Sequence, residues 1–257
     1  MGRVFITGDT HGRYDFLKLK QYKWPQGISK DDYLIIAGDF GGVWGGIIDL
    51  VKLEKEQGCY LGADKNPTLD KDAYTLLEYQ HLPCTVLFID GNHENFDALK
   101  KYKVEEWNGG KVQFIRPDII HLMRGQCYTL FGKKFFTMGG ATSVDKWYRK
   151  EHISWWKEEL PTKEECDIAL DTLDKNDWSV DYVITHAAPN KILSQIDATF
   201  EHDMITNFLF TIDMDLKFKD WYFGHYHIDE DFSKNDKEDE PIKYHCLYDR
   251  IIELDMK

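Results

Sequence analysis

Apolar residues in this chain gather into short dense runs, each ending abruptly in glycine or a polar side chain. Residues 3–7, 33–37, 85–89, 181–185 and 221–223 are rich in β-branched and aromatic side chains. Such runs are too short for helices and too uniformly apolar for strands with one wet face, so they predict buried strands. Helical spacing covers residues 14–22, 47–57, 69–80 and 162–174, with residues 62–72 reading as a polar surface loop. Residues 111–138 break into brief alternating runs around Arg116-Pro117-Asp118 and Gly132-Lys133-Lys134, a pattern of antiparallel strands and hairpins. An aromatic-rich stretch follows over 139–156, and the charged segment 233–240 reads as a solvated loop between late strands. Residues 243–247 and 251–254 close the chain as strands. No repeat or linker interrupts the pattern, which predicts one domain over residues 1–257.

What stands at the ends of the buried runs matters most. The first delivers Asp9 and His11, the second Asp39, the third Asn92 and His93, the fourth His186, and the fifth His225 and His227. In open α/β sheets ligands collect beyond the carboxyl ends of the strands. Residues two apart in extended backbone point to one side, so Asp9 with His11 and His225 with His227 are expected as same-face pairs. Glycine stands just before the polar group at Gly8, Gly38, Gly91 and Gly224, permitting the sharp turn that brings backbone and side chain close to a small centre. Any one of these motifs alone is more often a satisfied polar turn; all five together point to one site.

Composition narrows the class. With 42% hydrophobic and 30% charged residues the chain falls among water-soluble globular proteins, and 257 residues are enough to bury a sizeable core. No apolar run approaches the roughly 18 residues that span a bilayer. The first residues enter a strand directly, so neither a secretory signal nor N-myristoylation is expected. Cys59, Cys84, Cys127, Cys166 and Cys246 contain no Cys-x-x-Cys pair, which suits reduced thiols in a cytoplasmic protein better than a disulfide framework or a zinc-thiolate site. A net charge of −13 argues against binding extended nucleic acid. It does not exclude an anionic substrate, because bound cations reverse the local field.

The donor set joins hard oxygens (Asp9, Asp39, Asn92) to imidazoles. It suits manganese first, with iron, zinc, cobalt and nickel as alternatives, and neither an all-oxygen calcium site nor a thiolate zinc site. Seven ligands exceed the needs of one tetrahedral ion but serve two divalent ions sharing a carboxylate. Two such ions bring four positive charges. Asp9 and Asp39 remove two and a bridging hydroxide one, leaving a net positive charge for a phosphate. The chemistry expected is hydrolysis of a phosphate ester by that hydroxide.

At this point the sequence resembles the calcineurin-like metallophosphoesterase superfamily, through Asp9-Thr10-His11, Gly38-Asp39, Gly91-Asn92-His93-Glu94, His186 and Gly224-His225-Tyr226-His227, in the family's order. The resemblance implies an α/β fold, a β-sandwich flanked by helices in four αββα layers. It also implies that Asp9, His11 and His227 hold one metal, that Asp39 bridges, and that Asn92, His186 and His225 hold the second. His93 is then the general acid for the leaving oxygen rather than a ligand, and Glu94 supports the turn. The Asp-Arg-Gly continuation of the protein Ser/Thr phosphatases is replaced here by Gly41-Gly42-Val43-Trp44, which weakens a phosphoprotein-phosphatase reading. The stretch from Gly139 to Lys146, with Arg149 and Ser154-Trp155-Trp156, looks instead like bacterial and phage-type members. Arg149 is expected to grip the phosphate that the missing arginine would hold.

The expected activity is therefore a two-metal phosphatase-type hydrolysis of a phosphorylated small molecule or phosphoprotein, with no membrane partner. Two alternatives stand beside it: a phosphodiesterase or nuclease on nucleotides or short nucleic acid, and a catalytically silent scaffold of the same fold. Trp44, Trp147, Trp155 and Trp156 are expected chiefly in packing rather than in a cleft wall. His152 is the one remaining histidine whose position in sequence, near Arg149, brings the site within reach.

Overall fold

The computed structural model describes residues 2–45, 47–49, 68–234 and 241–256. The buried runs form the centres of two sheets. In the first, β1 (Val4–Thr7), β2 (Tyr33–Ile36), β5 (Thr85–Phe88) and β8 (Ile119–Leu122) lie parallel and adjacent. Antiparallel strands finish both sides: β15 (Ile251–Glu253) beside β1, then β7 (Gly110–Arg116) and β6 (Val104–Trp107) beyond β8. In the second sheet β10 (Lys133–Met138), β11 (Tyr182–Thr185), β12 (Asp220–Phe223) and β14 (Ile242–Cys246) are parallel, edged by antiparallel β9 (Gln126–Leu130) and β13 (Glu230–Ser233).

Strand periodicity shows directly in how the two faces of each sheet divide. Val4, Ile6, Ile35 and Leu87 from the first sheet meet Phe135, Tyr182, Ile184 and Tyr222 from the second in the core between them. Their neighbours Phe5, Leu34, Ile36, Val86 and Phe88 turn outward beneath α1 (Leu17–Gln21), α2 (Lys71–Gln80) and α3 (Phe96–Leu99). On the other side Phe136, Val183, Trp221 and Phe223 pack under α4 (Lys163–Lys175), α5 (Asn190–Ile196) and α6 (Met204–Asp215). Both faces of every central strand are covered, which is why these runs are apolar throughout rather than alternating. The result is the expected four-layer αββα sandwich.

Several local expectations change. Ile47–Asp49, expected as the start of a helix, is strand β3, paired antiparallel with β4 (Thr68–Asp70). Consecutive Ile47 and Ile48 favour the strand. The rest of that expected helix, 50–57, the loop residues 62–67, Gly46, Cys59 and 235–240 lie outside the described residues. Helix α4 is capped as its sequence suggests, Thr162 and Glu165 forming a reciprocal capping box. Helices α5 and α6 were not expected; α6 buries Ile205, Leu209 and Ile212, spaced three to four apart, against the second sheet. Cys84, Cys127, Cys166 and Cys246 are free thiols. Among the described residues no helix is long and apolar enough to cross a membrane.

Candidate metal centre

The carboxyl ends of β1, β2, β5, β11 and β12 converge, and the loops leaving them carry the polar residues named above. Asp39 is at the centre. Its Oδ2 lies 3.3 Å from His11 Nε2 and 3.3 Å from His186 Nε2, while Oδ1 accepts the His93 amide at 2.6 Å. His186 is wholly buried; its Nδ1 donates to the Ala37 carbonyl at 2.8 Å, which turns Nε2 toward Asn92 Oδ1 at 3.1 Å. Asp9, also buried, has Oδ1 accepting the His225 amide at 3.0 Å and Oδ2 3.0 Å from His227 Nε2. The His225 ring stands 5.0 Å from that of His186, and the His93 ring 5.2 Å from that of His11. Donor atoms of Asp9, His11 and His227 fall close enough to hold one cation, as do those of Asp9, Asp39 and His186; a third grouping joins His11, Asp39 and His93.

The backbone reaches this arrangement by a route that period-two reasoning misses. His11, Asp39, His225 and His227 have φ of 43°, 47°, 70° and 52°, so all four are left-handed. A side chain there costs on the order of 1–2 kcal/mol per residue. His11 and the two late histidines therefore enter through strained turns; His11 stays beside Asp9, while the other supposed same-face pair splits, His225 going to His186 and His227 to Asp9. Gly38 is at φ 94°, and a Cβ there would sit 2.1 Å from His186 Nδ1. One at Gly224 would sit 2.2 Å from Asp9 Oδ1. Close approach requires glycine at both places, and at Gly38 the left-handed turn requires it as well.

A family model described as calcineurin-like phosphoesterase matches residues 2–229. The chain belongs to that family. This phosphoesterase is thus a metal-dependent phosphoester hydrolase, and its fold agrees with that of a solved crystal structure at TM-score 0.50, with 14% identity over 95% of this chain and 89% of the other. A phosphopantetheinyl hydrolase (PptH) from Mycobacterium tuberculosis aligns with TM-score 0.43 and 13% identity, over 96% and 89% of the two chains. No curated protein sequence matches it.

The charges of the phosphoesterase site suit cations. Burial works against both aspartates, yet His186 and the neighbouring imidazoles hold Asp9 below and Asp39 well below the usual carboxylate range. Burial likewise opposes charge on His11 and His186, but Asp39 and Asp9 raise each to about 9. Protons thus gather on imidazoles that stand beside buried carboxylates. Asp9 Oδ2 is buried and accepts no hydrogen bond, even with His227 so near. An oxygen left in that condition is what a cation would satisfy. His225, buried and facing His186, is pushed down to about 4. Burial first, then the charges of Arg149 and His11, lower His93, with Asp39 acting in the opposite sense. Glu94 is raised well above the carboxylate range by burial and by Asp39; its carboxylate receives the Gly41 amide and so braces the turn bearing Asp39.

Arg149 does reach the centre. Its Nη2 lies 2.9 Å and 3.1 Å from the two ring nitrogens of His93 and 2.5 Å from Asp145 Oδ2. His152 does not; it is exposed and bonds Asp97 at 2.8 Å. Trp156 is buried and packs against Trp44, which lines the cleft beside His93, while Trp147 is 82% exposed.

Sequence reading passed over the residues that aim the ligands. Asp15 Oδ2 is 2.7 Å from His11 Nδ1, leaving Nε2 for Asp39. Its position four residues after His11 was the one available signal. Tyr248 donates to Asp15 Oδ1 at 3.0 Å and stacks on His227, and the half-buried Lys18 ammonium donates to the Asp9 and Tyr248 carbonyls. Under the Asn92 turn, Arg124 Nε donates to Asp90 Oδ2 at 2.7 Å, and His121 Nε2 is 3.2 Å from Oδ1.

Proposed function

We propose that this phosphoesterase works with two divalent cations, Asp9, His11 and His227 holding one, Asn92, His186 and His225 the other, and Asp39 shared between them. The observation that carries the reading is the single Asp39 oxygen equidistant from His11 Nε2 and His186 Nε2, one imidazole from each proposed set. The orphaned Asp9 oxygen and the imidazoles aimed by Asp15 and the Ala37 carbonyl fit the same assignment. Mixed oxygen and nitrogen donors suit manganese, with iron, zinc, cobalt and nickel as alternatives. When bound, the cations supply Lewis acidity: they make a shared water acidic and draw charge from the phosphoryl oxygens.

The rest belongs to the chain's own groups. His93 stands at the rim of the cluster, and its imidazole gives a proton to the departing oxygen. Arg149, whose guanidinium lies against His93, offers its remaining donors to phosphoryl oxygens and, with Asp145, keeps the imidazole in place. Its neighbouring positive charge makes His93 a stronger acid. Metal-free protein titrated with Mn²⁺ is expected to take up two equivalents and to gain activity on p-nitrophenyl esters in step. Uptake of a single equivalent at full activity would sink the two-metal reading.

A further inference from the structure

Two clefts adjoin the ligand cluster. The first, about 690 Å³, is lined by His11, His93 and Trp44. The second, also about 690 Å³, is lined by Ser143, Lys146, Phe200 and Tyr226 and takes in His225 and His227, but not His93. A monoester carries one organic group, which is the group that leaves. Its oxygen must stand beside the acid, so it occupies the cleft of His93. The organic group of a monoester then leaves the other cleft unfilled. A diester carries another organic group on the same phosphorus, and that group needs room on the side away from His93.

We propose that the second cleft binds the non-leaving group of a phosphodiester and that this group is a planar aromatic one. The inference rests on the hydrolase reading above, with His93 as the acid. Phe200 is 43% exposed and stacks on Tyr226, centroids 5.9 Å apart at 24°, presenting a flat apolar face to the cleft. Tyr226 is itself held by the Ala188 amide, which donates to its hydroxyl at 3.1 Å. Thr142 donates to Asp203, the N-cap of α6, and so ties one wall of the cleft to the other. Lys146 is exposed and forms no ion pair among the described residues, so its ammonium is available to a diester anion. In the reaction a water oxygen bonds phosphorus, the phosphorus–oxygen bond on the His93 side breaks, and the departing oxygen takes the His93 proton. The proton given up by the water restores the imidazole. The product is a monoester still carrying the group in the second cleft.

The test compares three substrates with one leaving group on the manganese-loaded full chain: p-nitrophenyl phosphate, methyl p-nitrophenyl phosphate and phenyl p-nitrophenyl phosphate. Each rate is referred to its hydroxide-catalysed rate. The phenyl diester is expected to exceed the methyl diester about tenfold in kcat/KM, the scale of one aromatic stack. Phe200→Ala is expected to bring that ratio down toward unity. The ratio is internal to each preparation, so a partly unfolded variant still reports. Equal values for the two diesters, a ratio unmoved by Phe200→Ala, or hydrolysis of the monoester alone overturns the proposal while leaving the hydrolase reading intact. No release from any of the three would count against that reading itself.

Discussion

Asn92 donates from Nδ2 to Ser143 Oγ at 3.1 Å, and this one bond determines which end of the amide faces His186. Ser143 in turn donates to Glu159 Oε2 at 2.5 Å, and all three side chains are buried. Ser143→Ala removes the acceptor, frees the amide to rotate and leaves the Glu159 carboxylate short of a donor. Metal affinity is expected to fall about 10–100-fold at one of two sites, with a stability loss of about 1–3 kcal/mol. Isothermal titration with Mn²⁺ and denaturant melts check both; unchanged affinity at both sites would remove the orienting role.

Asp39→Asn takes away the charge that both imidazole sets share. Both equivalents of metal should weaken together, since neither set retains more than one carboxylate. Retention of two tightly held ions by this variant, measured by metal analysis after dialysis, would contradict sharing.

His93→Asn should leave metal content unaltered and lower turnover of an alkyl or phenyl ester about 10²–10⁴-fold, the usual range for a lost general acid. The fall should be smaller with p-nitrophenyl esters, whose departing oxygen needs little help from a proton. A variant that loses metal would instead place His93 among the ligands, as its grouping with His11 and Asp39 permits.

Away from the metal centre, His245 couples stability to pH. Its Nδ1 lies 2.8 Å from Asp231 and its Nε2 3.4 Å from Asp220, with Arg250 also paired to Asp231 and Tyr222 stacked on the ring. Burial opposes the imidazolium, but the two carboxylates raise it above the ordinary histidine value. A raised folded-state pKa gives stabilisation that is complete below the unfolded value, about 6.5, and lost as pH climbs through the folded one. The melting-temperature advantage of the native chain over His245→Asn should therefore be larger at acid than at alkaline pH. A pH-independent difference would refute the coupling.

The run pattern and the residues ending each run were legible because both are local. A strand buried on two faces must be apolar throughout, and a ligand delivered at its end must follow it in sequence. That much, with the donor chemistry, needed no coordinates. Pairing is another matter. The chain passes from the first sheet to the second between Leu122 and Gln126, where nothing in the alternation marks a change of sheet. Tyr248 comes to Asp15 across more than two hundred residues, and Glu159 to Asn92 through Ser143, contacts that no spacing encodes. Strict alternation also misdescribed the turn of His225 and His227, whose left-handed backbone sends the two side chains to different partners. Sequence alone determined which side chains were offered and in what order along the chain. Tertiary packing decided how each was aimed, since orientation comes from hydrogen bonds between segments whose meeting depends on the whole sandwich.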